Sequence, residues 1–327
     1  MIYVYKLLTH TDLDGAGCAV LAKLAWGPDV EITFCHNPAD VTKTLLKMYD
    51  KEAWKDYNLI FVTDLSFDPE ILKTFRKFKN ILRLFDHHGT AVEPFKPYCK
   101  WATVEPVLDG RLTCGTELFY KFLLNKGLVQ NRDYFVEQVR LFDTWDWYKG
   151  TSHIPQYLSN VVLKLGPQYF LRTYTERLKS RDINELTVFN QYERDILLFD
   201  EERTAKDVSS FMKATYICQV ESEDICPDET EFAVGVVFNG SYYSSVLGND
   251  MCRDLGVDIA FMVNLNRGRV EVRTARDDID LGQLMQLFYN GGGHQKAAGG
   301  VIDISEDIIK KCLGRFGRVT AIEQVKS

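Results

Sequence analysis

What this chain has little of narrows it before any motif is read. No stretch approaches the ~20 consecutive apolar residues needed to cross a bilayer. The strand-like start Ile2-Tyr3-Val4-Tyr5 lacks the pattern of a secretory signal, so a cytoplasmic location is expected. Positive charge is in short supply: 39 Lys and Arg stand against 46 Asp and Glu, a net charge of −7. Proteins that follow long nucleic acid draw most of their affinity from a broad cationic surface. Long duplex DNA is therefore not expected as the main partner. Short oligonucleotides and small phosphorylated nucleotides, which need only a local basic pocket, stay open. The eight cysteines (Cys18, Cys35, Cys99, Cys114, Cys218, Cys226, Cys252, Cys312) form no CxxC pair. That argues against a zinc site or a disulfide framework and for buried, reduced thiols.

What is present is a globular composition, 46% hydrophobic, in 327 residues. At about 150 residues per domain, two domains are expected. The first part alternates strand signals (Tyr3–Thr9, Leu59–Thr63, Ile81–Phe85) with helix signals near 16–25, 38–49 and 69–79. Such alternation implies βαβ units and a mainly parallel sheet. More helix is expected near 115–125, 132–145 and 167–180. Residues 182–212 carry apolar positions at helical spacing (Ile183, Leu186, Phe189, Tyr192, Ile196, Leu197, Phe199) and predict an amphipathic connector helix. Beyond it, Ala214–Val220, Phe232–Phe238, Ile259–Leu265 and Val270–Thr274 predict strands, and 280–289 a helix. The fold class is α/β throughout, with a smaller second α/β domain.

Chemistry concentrates at the ends of the three early strands. His10-Thr11-Asp12-Leu13-Asp14-Gly15 follows the first, Asp64 the second and Asp86-His87-His88 the third. In a parallel sheet, neighbouring strands deliver their carboxyl ends to one rim, where ligands bind. Four carboxylates and three imidazoles at one rim would repel and lose hydration unless cations neutralise them. Oxygen and imidazole donors without thiolate suit Mn²⁺, and less specifically Mg²⁺, Co²⁺ or Fe²⁺. So many donors suit two ions ~3.5–4 Å apart, the arrangement that hydrolyses phosphate esters.

These motifs resemble those of the DHH phosphoesterase superfamily, named for Asp-His-His, here Asp86-His87-His88. The fourth family motif is an aspartate that Asp143 resembles, with Asp146 close enough to compete. The resemblance implies that His10, Asp12 and Asp64 hold one ion and that Asp14, Asp64, His87 and Asp143 hold the other. It further implies that Asp86 orients an imidazole and that His88 meets the scissile phosphate and helps protonate the leaving oxygen.

Further along, Asn290-Gly291-Gly292-Gly293-His294-Gln295-Lys296-Ala297-Ala298-Gly299-Gly300 offers backbone N–H groups that could approach an anion closely. With the preceding Val270-Glu271-Val272-Arg273-Thr274, it resembles the DHH-associated C-terminal domain. That resemblance makes Arg273, Gly292, Gly293 and His294 substrate-binding, with Arg276 carrying less weight. The implied organisation is a metal-binding catalytic domain (1–180), a helical connector (181–213) and a substrate-binding domain (214–327) that closes over the cleft. The tandem arrangement is similar to nano-RNases, which cut chains of two to five nucleotides to mononucleotides. Some relatives instead dephosphorylate 3′-phosphoadenosine 5′-phosphate, and a catalytically lapsed nucleotide-binding regulator is the rival from another class. Substrate preference, end polarity, RNA against DNA and oligomeric state stay open, a homodimer included. Trp145, Trp147 and Tyr148 are read as packing residues rather than as a base-stacking platform.

Overall fold

The computed structural model describes residues 5–74, 80–226 and 229–302. Residues 3–4 of the expected first strand, 75–79 of the expected third helix, and Cys312 lie outside them. The chain divides into two compact units, Met1–Leu197 and Leu198–Ser327.

The first unit runs β1 (Tyr5–His10), α1 (Leu13–Trp26), β2 (Val30–Cys35), α2 (Pro38–Asp50), β3 (Leu59–Thr63), α3 (Ile71–Thr74), β4 (Leu82–Asp86), α4 (Gly89–Phe95) and β5 (Ala102–Val104). The hairpin β6 (Val107–Leu108) and β7 (Arg111–Leu112) precedes four helices: α5 (Gly115–Asn125), α6 (Asp133–Asp143), α7 (Ile154–Leu165) and α8 (Pro167–Leu178). β1 to β5 form one sheet in the order β2-β1-β3-β4-β5, every pair parallel. This is a doubly wound order, and its switch point lies between β1 and β3.

Both sheet faces are covered, so the strands are apolar at consecutive positions rather than alternating with polar ones. Leu7, Phe61 and Phe85 point into the core shared with α1, α5, α6, α7 and α8. Their neighbours Leu8, Ile60, Val62, Leu82 and Leu84 point to the other face, where α2 supplies Val41, Leu45 and Met48. Each such fully buried side chain contributes about 1.5–3 kcal/mol. α2 starts where Asn37 accepts a hydrogen bond from the Asp40 backbone N–H, with Pro38 in the first turn. α1 is buried on most sides, and apolar or small residues Ala16 to Ala22 occupy its length.

Helix α9 (Gln191–Lys213) carries the chain from the first unit into the second. It begins later than expected. Ile183, Val188 and Phe189 lie in an irregular stretch and are drawn into the first core, so their spacing reflects burial and not helical period. The second unit then holds β8 (Tyr216–Cys226), β9 (Glu229–Phe238), α10 (Ser244–Asp254), β10 (Ile259–Asn264), β11 (Arg269–Arg273), α11 (Leu281–Tyr289), β12 (Gly292–His294) and β13 (Ala297–Val301). Its mixed sheet is ordered β12-β13-β11-β10-β9-β8; β9 and β10 are parallel, joined through α10, and the other pairs are antiparallel. One face packs Val234, Ile259 and Val272 with α11, the other Val237, Ala260 and Met262 with α10.

Among the described residues, β2, α4, β5, the β6–β7 hairpin, α7, α10, β12 and β13 escaped the sequence reading. Within β2, Glu31 and Thr33 break the apolar run, yet both accept hydrogen bonds from the buried Lys6 of β1, which accounts for polar residues in this edge strand. The thiols also differ in part from expectation. Cys18, Cys35, Cys114 and Cys226 are buried, but Cys99 and Cys218 are exposed, and the seven described cysteines are all free. None of the helices searched among the described residues is long and apolar enough to cross a membrane.

Candidate metal centre

Each early strand ends in a donor, and the turn that follows aims it. After β1, Asp12 caps α1: its side chain accepts a hydrogen bond from the Gly15 N–H at 3.0 Å. The turn closes so tightly that a Cβ at Gly15 would stand 2.2 Å from the His10 carbonyl oxygen, which makes glycine obligatory there. Asp14, in the first turn of α1, is 1% exposed. Its two carboxylate oxygens accept from the N–H groups of Gly115 and Thr116 at 2.6 and 2.7 Å, at the start of α5. A helix N-terminus favours a carboxylate there, and the two N–H groups fix the orientation of Asp14. Gly115 leaves the space this needs, since a Cβ would lie 2.9 Å from Asp14 Oδ2 and from Asp64 Cα.

After β3, Asp64 adopts the left-handed conformation, φ 58°, in a fully buried position. A non-glycine residue there is strained, a condition that persists only where the surroundings impose it. The consequence is an aspartate facing two neighbours at once. Its Oδ2 lies 3.7 Å from His10 Nδ1 and its Oδ1 3.4 Å from His87 Nε2. After β4, Asp86 Oδ1 accepts from the backbone N–H groups of His87 and His88 and sits 2.7 Å from His88 Nδ1. Asp86 thus orients His88, whose ring is 46% exposed at the rim. Asp143, closing α6, brings its Oδ2 to 3.4 Å from His87 Nε2, with Asp14 Oδ2 at 3.8 Å.

The donors therefore form two groups whose ligand atoms all lie within 4.8 Å of one another: His10, Asp12 and Asp64, and Asp14, His87 and Asp143. A third group joins Asp64, His87 and His88. Asp146 stands outside them. Its carboxylate pairs with Arg140 and Lys149, at 2.8 and 3.0 Å, which distinguishes it from Asp143.

The electrostatics are those of a site lacking positive charge. Burial, then the charges of Asp12, Asp14 and Asp143, push the Asp64 carboxyl well above its ordinary range. Burial and the charges of Asp14, Asp12 and Asp86 do the same to Asp143. Burial lowers the basicity of His87 despite the surrounding carboxylates. At His10, burial works against the proton, but the hydrogen bond and charge of Asp12 outweigh it, leaving His10 raised and Asp12 lowered. Its hydrogen bond to Asp86 raises His88. Among the described residues, Asp64 Oδ2, Asp86 Oδ2 and His87 Nε2 are sealed from solvent without a hydrogen-bond partner. Buried polar atoms are rarely left so. An all-oxygen-and-imidazole set with orphaned lone pairs turned toward one another fits divalent cations.

In the second unit, Arg273 ends β11 and lies across α10. Gly248 makes room, since a Cβ there would stand 2.6 Å from Arg273 Cγ. The guanidinium donates to the hydroxyls of Ser244 and Ser245 at 3.3 and 3.5 Å, while its Nε is buried without a partner. Burial lowers its basicity. Arg276 is differently placed: it pairs with Asp258 at 3.0 Å and Asp278 at 2.6 Å and lies over Phe232, so its charge is already neutralised. The glycine triplet is a strand, not a free loop. Gly292, Gly293 and His294 pair with Gly299, Ala298 and Ala297. Gly291 approaches Gly299 and Gly293 approaches Ala297 and Ala298 too closely for side chains, while Gly292 and His294 remain exposed. Trp147 is buried against Phe142 and Trp145, which agrees with packing, whereas Trp145 and Tyr148 are exposed.

Sequence reasoning passed over the residues that hold these donors. Gly115 and Thr116 escaped because they lie about a hundred residues from Asp14; a Gly-Thr pair opening a helix was the available signal. Ser244, Ser245 and Gly248 carried no motif.

The chain is 30% identical over 307 residues, 90% of its length, to the oligoribonuclease NrnB of Bacillus subtilis (strain 168), of which it spans 72%. A solved DHH domain, described as a member of the s1p family of ribosomal proteins, superimposes with a TM-score of 0.54 at 12% identity, over 96% of this chain and 86% of that one. The chain belongs to the DHH phosphoesterase family. This DHH phosphoesterase is also 25% identical over 344 residues to a 3′,5′-cyclic-nucleotide phosphodiesterase of Helicobacter pylori (strain ATCC 700392 / 26695), covering 93% of this chain and 94% of the relative. No protein-family model matches it.

Proposed function

We propose that this protein is a metal-dependent phosphodiesterase that hydrolyses short oligonucleotides to mononucleotides by in-line attack of water. The observation that carries the reading is the buried convergence of Asp14, Asp64 and Asp143 on His87 without hydrogen bonds between them. The activity printed for the Bacillus relative supports the substrate class.

In this reading His10, Asp12 and Asp64 hold one divalent cation and Asp14, Asp64, His87 and Asp143 the other. The donor set favours Mn²⁺, with Mg²⁺ or Co²⁺ as substitutes. Such a pair supplies a more acidic water and neutralises charge on the attacking and leaving oxygens. The protein does the rest. Asp64, through its left-handed backbone, turns one oxygen toward each group. Asp14 keeps its direction because two helix N–H groups grip it. Asp86 holds His88 by Nδ1, which leaves Nε2 for the substrate. Asp86 raises the basicity of His88, and in its protonated form the ring can bind the phosphoryl oxygen and hand a proton to the leaving oxygen as the P–O bond breaks.

Arg273 and His294, with the backbone of Gly292 and Gly293, are assigned to substrate phosphate and nucleotide. Arg276 is the weaker candidate because two carboxylates occupy it. Free cysteines fit a cytoplasmic setting. The test is turnover of a diribonucleotide against a ~20-mer and 3′-phosphoadenosine 5′-phosphate, with Mn²⁺, Mg²⁺ or chelator. Mononucleotide release from the dinucleotide, abolished by chelator, is expected. Binding without hydrolysis in metal-replete protein would overturn the assignment in favour of a regulator.

A further inference from the structure

The first unit contains a cavity of about 840 Å³ that takes no part in the chemistry above. α1 starts beside the metal rim at Leu13 and extends 14 residues, and the cavity opens at its other end, by Lys23, Leu24, Gly27 and Pro28. At 1.5 Å per residue the helix sets the two about 20 Å apart. The remaining wall comes from residues 127–132 and from α8.

The lining is built for an anion with an apolar body. Leu24, Leu128 and Leu171 supply the apolar wall. Lys23, Arg132, Arg172 and Lys179 face it against one carboxylate, Glu176, which lies 3.5 Å from Lys179. Arg132 is 4% exposed. One of its terminal nitrogens donates to the Asn131 carbonyl, yet its Nε is sealed from solvent and lacks any acceptor among the described residues. The hydroxyl of Thr175, also on the wall, is buried and unpartnered in the same way. Arg172 makes no ion pair among the described residues. Buried donors are seldom left without acceptors, and a guanidinium fork matches a phosphate. The volume lies within the ~300–1,000 Å³ of small-molecule sites.

We propose that this cavity binds a small phosphorylated ligand of mononucleotide size, at a site separate from the one that cleaves substrate. The phosphate accepts from Arg132, Arg172 and Thr175, and the body lies on Leu24, Leu128 and Leu171. The inference rests on the cavity alone and stands whether or not the chain cleaves oligonucleotides.

Equilibrium binding of adenosine 5′-monophosphate, ribose 5-phosphate, inorganic phosphate and adenosine to the full chain, stripped of metal with chelator, tests it. A saturable site for adenosine 5′-monophosphate that is present in the wild type and survives Arg273→Ala is expected. It should weaken at least tenfold in Arg172→Glu and less in Thr175→Val. Tighter binding of the nucleotide than of ribose 5-phosphate identifies a base on the apolar wall; equal binding identifies a sugar phosphate. Arg132→Gln should abolish the site, and where that variant fails to fold, the exposed Arg172 and the Thr175 variant decide. Absence of saturable binding, affinity unchanged in Arg172→Glu, or a site lost only in Arg273→Ala would each overturn the proposal.

Discussion

The metal rim and the surroundings of Arg273 both bury polar atoms without partners, but with opposite sign. At the rim, Asp64 Oδ2 and His87 Nε2 are orphaned among carboxylates, and burial lifts Asp64 and Asp143 toward the protonated form. In the second unit the orphan is a donor, Arg273 Nε, and burial weakens its hold on the proton. The first deficit suits cations, the second an anion. Each region is shaped for what it lacks, and the two should answer differently to the same perturbation.

The largest effect is expected at Asp64. Asp64→Asn keeps the size but removes the charge shared by both donor groups, and turnover should fall by roughly 10³-fold or more, comparable to or beyond loss of a key electrostatic group. The same variant should melt higher than wild type in chelator and gain little from added Mn²⁺. A wild-type metal-induced shift in melting temperature would remove Asp64 from the centre. His88→Ala should cost about 10²-fold in kcat, the range for a lost general acid, while metal binding stays intact. Asp86→Asn should follow it at about 10–100-fold, because the carboxylate that fixes the ring is gone. Equal kcat in Asp86→Asn and wild type would deny that orienting role.

Arg273→Ala sharpens the contrast from the other side. It should raise KM by about tenfold, in line with a lost charged hydrogen bond, with no change in the Mn²⁺-induced melting shift. Gly248→Ala, which pushes on the Arg273 stem at 2.6 Å, should reproduce that effect in weaker form. A larger effect on metal binding than on KM in either variant would break the division of labour.

The smallest expected effect is on stability against pH. Asp64 and Asp143 are raised in the folded state, so the folded chain binds more protons than the unfolded one above the ordinary carboxylate range. Their contribution to stability is present at acid pH and is lost as pH rises through the folded values. Asp12 and His87, shifted downward, oppose this trend. Metal-free protein should therefore lose melting temperature between mildly acid and neutral pH, and Mn²⁺ should restore more at pH 8 than at pH 5. A metal effect independent of pH would contradict the buried-carboxylate account.

Much of this was legible in the order of residues. β3 was read residue for residue, and β1 and β4 nearly so, because strands buried on both faces must be apolar at every position. The donors His10, Asp12, Asp14, Asp64 and His87 were visible because parallel strands end side by side, whereas Asp143, which closes α6, was reached only through the family resemblance, with Asp146 left open. β2 was not visible, since Lys6 from the adjacent strand satisfies its polar residues. The glycine triplet looked like a free anion cradle and is a strand, because the same freedom that admits an anion also admits a neighbouring backbone. The pull of the first core on Ile183 and Phe189 imitated a helix that begins only at Gln191.

By itself the sequence determined the donor types, their attachment to strand ends and the sign of the ligands, since these follow from side-chain chemistry and local period. Tertiary structure alone decided that Asp143 and not Asp146 joins the cluster, that Asp64 faces both groups, and that Arg273 rather than Arg276 keeps a free donor. Those outcomes depend on which distant carboxylate, hydroxyl or amide arrives within about 3 Å, the range in which hydrogen bonds form, and no local pattern encodes that arrival.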